Sequence, residues 1–496
     1  MFRRILTLAI LALLADGAAR AFAEDQGPAE KLLPEVKKLV DVFAAMESEA
    51  ADPVDPDTAL YQGAIPGMLR TLDPHSSFFD PGQFQQLQQM ERSEQKGFGS
   101  IVSVLPGRVI VLQTLPGTPS AKAGLSAGDE IVGINNIPIS RLEFEQLVQI
   151  LMEARQHEVS LDVARPGAAR LERIVMSPEL VESPSVDRAF TVAPGIGYLR
   201  VTGFEEATGK LIQESIEKLG GAALQGLVLD LRNNPGGAVQ SALETASLFL
   251  KADQVVFSIR GRGAEPQEVR VPKLAHSYEF PIAVLVNEKT ASASEILSGA
   301  LQDHERAVIL GEPSYGKGLV QQVYTLSGGS GLALTIAFYF TPSGRSIQKP
   351  LGGGGQLGES IVTARGPFKT DAGREVRGGG GIQPDETILP PAPTRLRAAL
   401  DASGVLTSFA GEYLRAHDVS ADFEITPELL DDFKIYCSQH SIQPSVGEWS
   451  VEREWVQSRL KQEVVSLKFG VAKGDEIELR RDPVVQGAIT ALQSRR

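Results

Sequence analysis

The sequence predicts a multidomain α/β protein (an α/β core, α+β as a whole) with helical regions at both ends. From Ile196 onward, strand-like and helix-like segments alternate, which favours a parallel sheet with helices packed on its faces. Between Gly97 and Gly167 the pattern changes to short strands around one helix, and after Thr394 the chain is mostly helical. The 496 residues are 42% hydrophobic and 22% charged, which indicates a folded chain of about three domains.

Charge and composition argue against several classes of function. The net charge is −14, and nucleic-acid binding is not predicted because phosphate contacts need clustered lysine and arginine. A single cysteine, Cys437, excludes an intramolecular disulfide and a cysteine-rich metal site. The chain has six histidines and no HExxH motif. We therefore predict neither a metal nor another cofactor.

The first residues predict a cleavable signal peptide over residues 1–23. Two arginines precede an apolar run over residues 5–14, and an A-x-A cleavage site ends at Ala23. The run is shorter than the roughly 20 apolar residues that cross a membrane. We expect a periplasmic protein whose mature chain starts near Glu24; an uncleaved amphipathic anchor is the alternative.

The stretch 97–167 resembles a PDZ domain. It begins with a Gly-x-Gly loop before a strand and continues with AGLSAGDEIVGI from Ala123. In PDZ domains such a loop aims backbone N–H groups at the terminal carboxylate of a peptide, which adds a strand to the sheet edge. The resemblance implies a PDZ domain over residues 91–180 whose tail-binding loop is Gly97, Phe98, Gly99 and Ser100. Ser100 departs from the bulky apolar residue common there, and a β-domain with a non-binding groove is the alternative.

A second motif lies where a predicted strand meets a predicted helix, in LVNEKTASASEIL from Leu285. Ser292 and Glu295 form the S-x-x-E pattern of a capping box, which by itself needs no catalytic role. The same position would expose Ser292 at a helix N-terminus, where free N–H groups favour a developing oxyanion. Both interpretations remain open on the residues alone.

A base for a serine nucleophile is offered by GEPSYGKGLVQ from Gly311. Lys317 lies between two glycines, and a neutral lysine can take the proton of a serine hydroxyl. Ser314 and Lys317 also match SxxK, but Gly316 makes the required helical turn improbable. Ser126 lies in a GxSxG match, yet a strand follows it where a nucleophile elbow needs a helix.

Together these segments are similar to the carboxyl-terminal processing proteases, also called tail-specific proteases. The matching segments are TASASEI from Thr290, GKGLVQ from Gly316, DLRNNPGG from Asp230, FYFTPSGRSIQ from Phe338, GGIQPD from Gly380 and LDPHSSF from Leu72. The resemblance implies a ClpP/crotonase-like α/β protease core over residues 186–393 with an inserted PDZ domain. The remaining regions, 24–90 and 394–496, are predicted to be helical.

The resemblance also implies residue roles. Ser292 attacks the scissile carbonyl, Lys317 is the general base and then acid, and Gln321 orients the lysine amine. The oxyanion hole combines the N–H of Ala293 with that of a glycine in NNPGG, either Gly237 or, one residue earlier, Gly236.

The predicted function is that of a periplasmic serine endopeptidase that cleaves proteins near their C-termini. The PDZ domain would recognise substrates by a free, apolar C-terminal tail, and Arg165 is a candidate switch that couples tail binding to the active site. Binding of nucleic acid is not expected, while a homo-oligomer or an adaptor protein remains open. The alternative is an inactive tail-binding scaffold or a ligand-binding protein on the same core.

Overall fold

The computed structural model describes residues 27–91, 96–105, 107–155, 157–165, 168, 170–181, 184–262, 264–350, 367–420 and 422–495. The predicted signal peptide, 1–23, lies outside these described residues. Within them, no helix combines the length and apolar character needed to span a membrane. The chain divides into two compact units, 1–71 and 72–496.

The first unit is helical where the structure describes it, in agreement with the periodicity of its apolar residues. Its elements are helix α1 (Gly27–Glu49), a π-helix (Thr58–Ala64) and helix α2 (Ile65–Arg70). The proline-rich break at residues 52–56 separates the first two. Residues 72–90, which the sequence assigns to the N-terminal helical region, belong to the second unit and contain strand β1 (Ser77–Phe79) and helix α3 (Pro81–Glu91).

The predicted PDZ region forms a six-stranded antiparallel sheet with one main helix. The sheet has the order β3-β4-β5-β7-β8, with β6 paired to β5, and a small two-stranded sheet joins β2 to β9. The strands are β2 (Lys96–Gly97), β3 (Ser100–Leu105), β4 (Arg108–Thr114), β5 (Glu130–Ile134), β6 (Ile137–Pro138), β7 (Val159–Ala164), β8 (Glu172–Met176) and β9 (Glu179–Leu180). The helices are the short α4 (Pro119–Lys122) and α5 (Phe144–Ala154).

The α/β core is built on a sheet of order β10-β11-β12-β15-β16-β21, in which every pair except β10–β11 is parallel. Continuous apolar runs form its central strands because both faces are covered. The strands are β10 (Val186–Ala193), β11 (Ile196–Val201), β12 (Gly226–Asp230), β15 (Ile282–Val286), β16 (Ala307–Gly311) and β21 (Glu386–Thr387). Helices α6 (Thr208–Leu219), α7 (Val239–Ser247) and α8 (Ala293–Asp303) pack in one apolar cluster against this sheet.

A second, antiparallel sheet flanks the core and receives a strand from the segment before the PDZ domain. Its order is β1-β18-β13-β14, and β17 also pairs with β18. The strands are β13 (Val255–Gly261), β14 (Ala264–Arg270), β17 (Leu319–Thr325) and β18 (Gly331–Phe340), and β19 (Phe368–Lys369) and β20 (Glu375–Val376) form a separate hairpin. Strand β1 thereby places the LDPHSSF segment beside the core.

The predicted C-terminal helical region forms helices α9 to α14. These are α9 (Arg395–Ser403), α10 (Val405–Ala416), α11 (Pro427–Gln439), α12 (Val446–Phe469), α13 (Val471–Leu479) and α14 (Pro483–Ser494). Helix α14 covers the other face of the main sheet, where Val485 and Leu492 pack with Val228 and Leu285 in a second apolar cluster. The core is therefore a three-layer α/β/α arrangement whose third layer comes from the end of the chain.

Candidate active site

Three neighbouring parallel strands deliver the predicted catalytic segments to one edge of the main sheet. Strands β12, β15 and β16 lie side by side, and their carboxyl ends lead into the NNPGG turn (residues 233–237), the TASASEI loop and the GKG segment. Ligand sites of α/β sheets lie outside the carboxyl ends of the strands. The sheet topology thus brings together segments that are far apart in sequence.

Ser292 occupies a strained position directly before helix α8. Its backbone has φ 56° and ψ −116°, a combination that is unfavourable for a residue with a Cβ atom. The side chain is half-buried, whereas Ser294 is fully buried and its hydroxyl donates to Asn234 O at 3.2 Å. Of these two serines, Ser292 is the one that is only half-buried and held in a strained turn.

Glu295 connects the Ser292 loop to the Lys317 segment. Its carboxylate is fully buried, and Oε2 accepts the backbone N–H groups of Ser292 at 2.9 Å and of Lys317 at 2.8 Å. The other oxygen accepts the N–H of Gly316 at 2.7 Å and the hydroxyl of Ser314. Burial raises the pKa of Glu295, and these donors oppose the rise. The capping box is formed, but the same carboxylate also joins two loops.

Lys317 lies half-buried beside the LDPHSSF segment. Burial lowers the pKa of His75, and the positive charge of Lys317 lowers it further, so the two side chains are close enough to interact electrostatically. Gln321 Nε2 donates to the backbone oxygen of His75 at 2.9 Å. Gln321 is therefore attached to the LDPHSSF segment, and its action on the lysine amine stays a prediction.

The two candidate glycines of the oxyanion hole, Gly236 and Gly237, differ in whether their N–H groups already have an acceptor. Gly236 is so close that a Cβ there would lie 2.8 Å from Ser292 Cβ and 2.9 Å from Ala293 N. The N–H of Gly236 donates to its own neighbour, Asn234 Oδ1, at 2.9 Å. Among the described residues, the N–H groups of Gly237 and Ala293 have no acceptor. Of the two glycines, Gly237 is therefore the one with a free donor.

The NNPGG turn is bound to the Ser292 loop by a set of hydrogen bonds. Ala291 N–H donates to Asn234 O at 3.0 Å, and the side chain of Asn234 donates to Val201 O at 2.9 Å. Asn233 N–H donates to Asn287 Oδ1 at 2.9 Å. The free amide of Gly237 is thus held in a fixed relation to Ser292.

The PDZ loop leaves backbone donors available in the way a carboxylate site requires. Gly99 has φ 71°, and a Cβ there would lie 2.3 Å from Thr118 Cβ, so only glycine fits. In the described part of the chain, the N–H groups of Phe98 and Gly99 have no acceptor. Phe98 also packs against the apolar cluster of the domain together with half-buried Val102 and Ile150.

Among the described residues, no contact joins Arg165 to the Ser292 loop. Its Nη2 donates to Gly124 O at 2.9 Å, and its Nε lies 2.7 Å from Glu172 Oε2, both within the PDZ domain. It also lines a cavity of about 200 Å³ between the PDZ domain and helix α10, beside Ser408. The predicted coupling role stays a prediction.

Sequence reasoning missed several residues that shape this site. Glu295 was recognised only as a helix cap, and its bonds to the Lys317 segment were not predicted. Ser314, rejected as a nucleophile, is fully buried and accepts the N–H of Ile382 while donating to Glu295. His75 lies in a turn of the LDPHSSF segment, where its N–H donates to Asp73 Oδ1 at 2.7 Å, and the positive charge of Lys317 lowers its pKa.

Comparison with known proteins identifies a peptidase family and a PDZ domain in the chain. A model of peptidase family S41 matches residues 195–355, and a PDZ-domain model matches residues 110–165. The chain is 36% identical over 298 residues to carboxyl-terminal-processing peptidase 2 of Arabidopsis thaliana. The match covers 58% of this chain and 58% of that relative. It is 36% identical over 319 residues to the carboxy-terminal-processing protease of Bartonella bacilliformis, covering 63% of this chain and 73% of that relative.

Two further relatives extend the comparison. The carboxyl-terminal-processing protease of Synechocystis is 34% identical over 292 residues, covering 58% of this chain and 68% of that protein. Among solved structures, the photosystem II D1 C-terminal processing protease is 26% identical with a TM-score of 0.43, covering 74% of this chain and 91% of that one. The resemblance drawn from the sequence motifs is confirmed, and the chain belongs to the carboxyl-terminal processing proteases of peptidase family S41, a family of serine-type peptidases.

Proposed function

We propose that this protein cleaves protein substrates near their C-termini with Ser292 as nucleophile and Lys317 as general base. The observation that carries the proposal is the shared carboxylate of Glu295, which accepts the N–H groups of both residues at 2.9 and 2.8 Å. A serine and a lysine whose backbones meet at one buried acceptor can hold a hydroxyl–amine pair in a reactive geometry. No cofactor takes part in this chemistry.

The reaction would proceed by acyl transfer. Lys317, as general base, takes the proton of the Ser292 hydroxyl as the oxygen attacks the scissile carbonyl, and Gln321 orients the amine. The free N–H groups of Ala293 and Gly237 stabilise the oxyanion; one such donor lowers the barrier by about 3–4 kcal/mol. Lys317 then protonates the leaving amine, and water releases the acyl group by the same steps in reverse order.

Substrate selection is assigned to the PDZ domain. The free amides of Phe98 and Gly99 support binding of a terminal carboxylate, and the half-buried apolar residues beside them support an apolar last residue. Tail capture then presents an upstream peptide bond to Ser292. A periplasmic location is proposed from the signal-like N-terminus. An adaptor protein or a homo-oligomer would use the same PDZ domain and the same active site.

The test is mass spectrometry of a protein with an apolar tail after incubation with wild-type and variant enzyme. Ser292→Ala should abolish cleavage while the fold persists, with a stability loss of about 0.5–2 kcal/mol if the cap also weakens. Ser294→Ala is the matched control and should retain cleavage, because the Ser294 hydroxyl is buried and donates to Asn234 O.

Lys317→Arg keeps the positive charge but should be inactive, because a guanidinium does not deprotonate at working pH. Cleavage by Ser292→Ala or by Lys317→Arg would contradict the mechanism. Binding of tails without cleavage by the wild type would favour the scaffold alternative.

A further inference from the structure

One arginine between two aspartates joins the NNPGG turn to the last helix of the chain. Arg232 lies between strand β12 and the turn; its Nη2 is 2.6 Å from Asp230 Oδ2, and its Nη1 is 2.7 Å from Asp482 Oδ2. Tyr198 also donates to Asp230 Oδ2 at 2.7 Å. Asp482 is 250 residues away in sequence, in a region that the family model does not match.

The carboxylate of Asp482 has two separate contacts. Oδ1 caps helix α14 by accepting the N–H groups of Val484 at 2.8 Å and Val485 at 3.2 Å. Oδ2 pairs with Arg232, whose side chain is only 18% exposed. Since α14 is buried on the main sheet, this cap is an immobile anchor for the arginine.

The NNPGG turn has little room to shift without changing the active site. A Cβ on Gly236 would already lie 2.8 Å from Ser292 Cβ, and Phe204 N–H donates to Gly236 O at 2.9 Å. Gly237 follows directly and carries the free amide. Arg232 lies five residues before Gly237, so the contact of Arg232 with Asp482 acts on the same short segment that carries this amide.

We infer that Asp482 is a positioning residue of the active site: it holds Arg232, and through it the NNPGG turn, so that the Gly237 amide faces the oxyanion. The inference rests on the proposed roles of Ser292 and Gly237. It gives the C-terminal region a function in catalysis. The contact between Asp482 and Arg232 positions the Gly237 N–H, and this donor stabilises the transition state rather than the bound substrate.

The experiment compares two aspartates that join the C-terminal helices to the main sheet. Asp482→Ser keeps a side-chain acceptor for the helix cap but is too short to reach Arg232. Asp475→Ser is the matched control: Asp475 pairs with Arg188 at 2.6 Å on edge strand β10, and its side chain is 17% exposed against 20% for Asp482. The purified full-length enzyme is assayed on a short peptide without a tail, and melting temperatures are recorded.

We expect kcat of Asp482→Ser to fall about tenfold with KM unchanged, since a misplaced donor weakens transition-state binding. Asp475→Ser should keep the wild-type kcat at a similar loss of melting temperature. Combining Asp482→Ser with Arg232→Gln should lower kcat no further than Arg232→Gln alone, because both act through one contact.

Equal kcat losses in the two serine variants, or a loss confined to KM, would overturn the inference. If Asp482→Ser does not fold, Asp482→Asn against Asp475→Asn gives the same comparison. The outcomes are distinguishable from failure of the proposed function: an active Ser292→Ala overturns the mechanism, whereas wild-type kcat in folded Asp482→Ser overturns only the positioning role.

Discussion

At the residue scale, Glu295 brings together Ser292 and Lys317, which are 25 residues apart, because its carboxylate accepts the backbone N–H groups of both. A buried carboxylate is costly unless its lone pairs are filled, and here four donors fill them. The strained backbone of Ser292, with φ 56°, is tolerated because these bonds and the helix behind it hold the turn.

Glu295→Gln should therefore reduce kcat strongly, by more than about tenfold, and destabilise the fold by about 1–3 kcal/mol. The amide supplies one acceptor oxygen and places an NH₂ group against N–H donors, so that two buried donors lose their partner. Activity on a tail-less peptide and thermal unfolding measure the two effects.

Ser298→Ala is the control for Glu295→Gln. It removes one buried hydrogen bond on the same helix, from Ser298 Oγ to Ser294 O at 2.7 Å, without touching either loop. Wild-type kcat in Glu295→Gln would show that the shared carboxylate is not needed for the geometry.

At the scale of elements, the PDZ loop combines unbonded backbone amides with a left-handed glycine. The segment between β2 and β3 leaves two amides free, and its left-handed glycine is packed against Thr118. Helix α5 and strand β3 supply apolar side chains beside it. The loop conformation and the groove beside it are therefore parts of one site.

Gly99→Ala should lose binding of tail peptides, because the added Cβ would lie 2.3 Å from Thr118 Cβ and force the loop to move. Gly117→Ala is the matched control, since it has a similar φ of 78° but no atom within 4 Å of the new Cβ. Both should be destabilised by about 1–2 kcal/mol from the left-handed backbone.

Titration of a fluorescent apolar tail, with a free or an amidated terminus, reports the affinity. Only Gly99→Ala should lose the preference for the free carboxylate. Equal binding of free and amidated tails by the wild type would contradict recognition by these amides.

At the scale of the whole molecule, the C-terminal helices contact both the PDZ domain and the α/β core. Val471 N–H donates to Gln113 Oε1 at 2.8 Å on PDZ strand β4, and Arg188 Nε donates to Asp475 Oδ2 at 2.7 Å on core strand β10. Arg165 lies beside the same group of helices, since it lines a cavity together with Ser408 of α10.

Arg165→Ala should lower turnover of a tail-less peptide without a proportional change in tail affinity, because the lost quantity is a coupling free energy between two sites. Arg173→Ala, which removes an exposed pair with Asp162 on the same sheet, is the control and should leave both quantities unchanged. Unchanged turnover in Arg165→Ala would make the PDZ domain a passive tether.

The sequence by itself determined the α/β class, the PDZ domain, the helical termini and the Ser292 and Lys317 motifs. Each of these features depends on a local periodicity or on a short motif, and both can be recognised from residues that are neighbours in the sequence. The capping box at Ser292 and the glycines beside Lys317 were visible for the same reason. The second unit beginning at Leu72 was not visible, because strand β1 is defined by its pairing with β18.

Only the tertiary structure decided which distant groups meet at the site. The Gln321–His75 contact spans 246 residues and the Arg232–Asp482 pair spans 250. Contacts between residues so far apart produce no periodic pattern in the sequence. Likewise, the choice of Gly237 over Gly236 depended on which N–H was already bound to Asn234. These contacts result from the order of strands in the sheet and the packing of the last helix on it, and such long-range geometry exists only after the chain has folded.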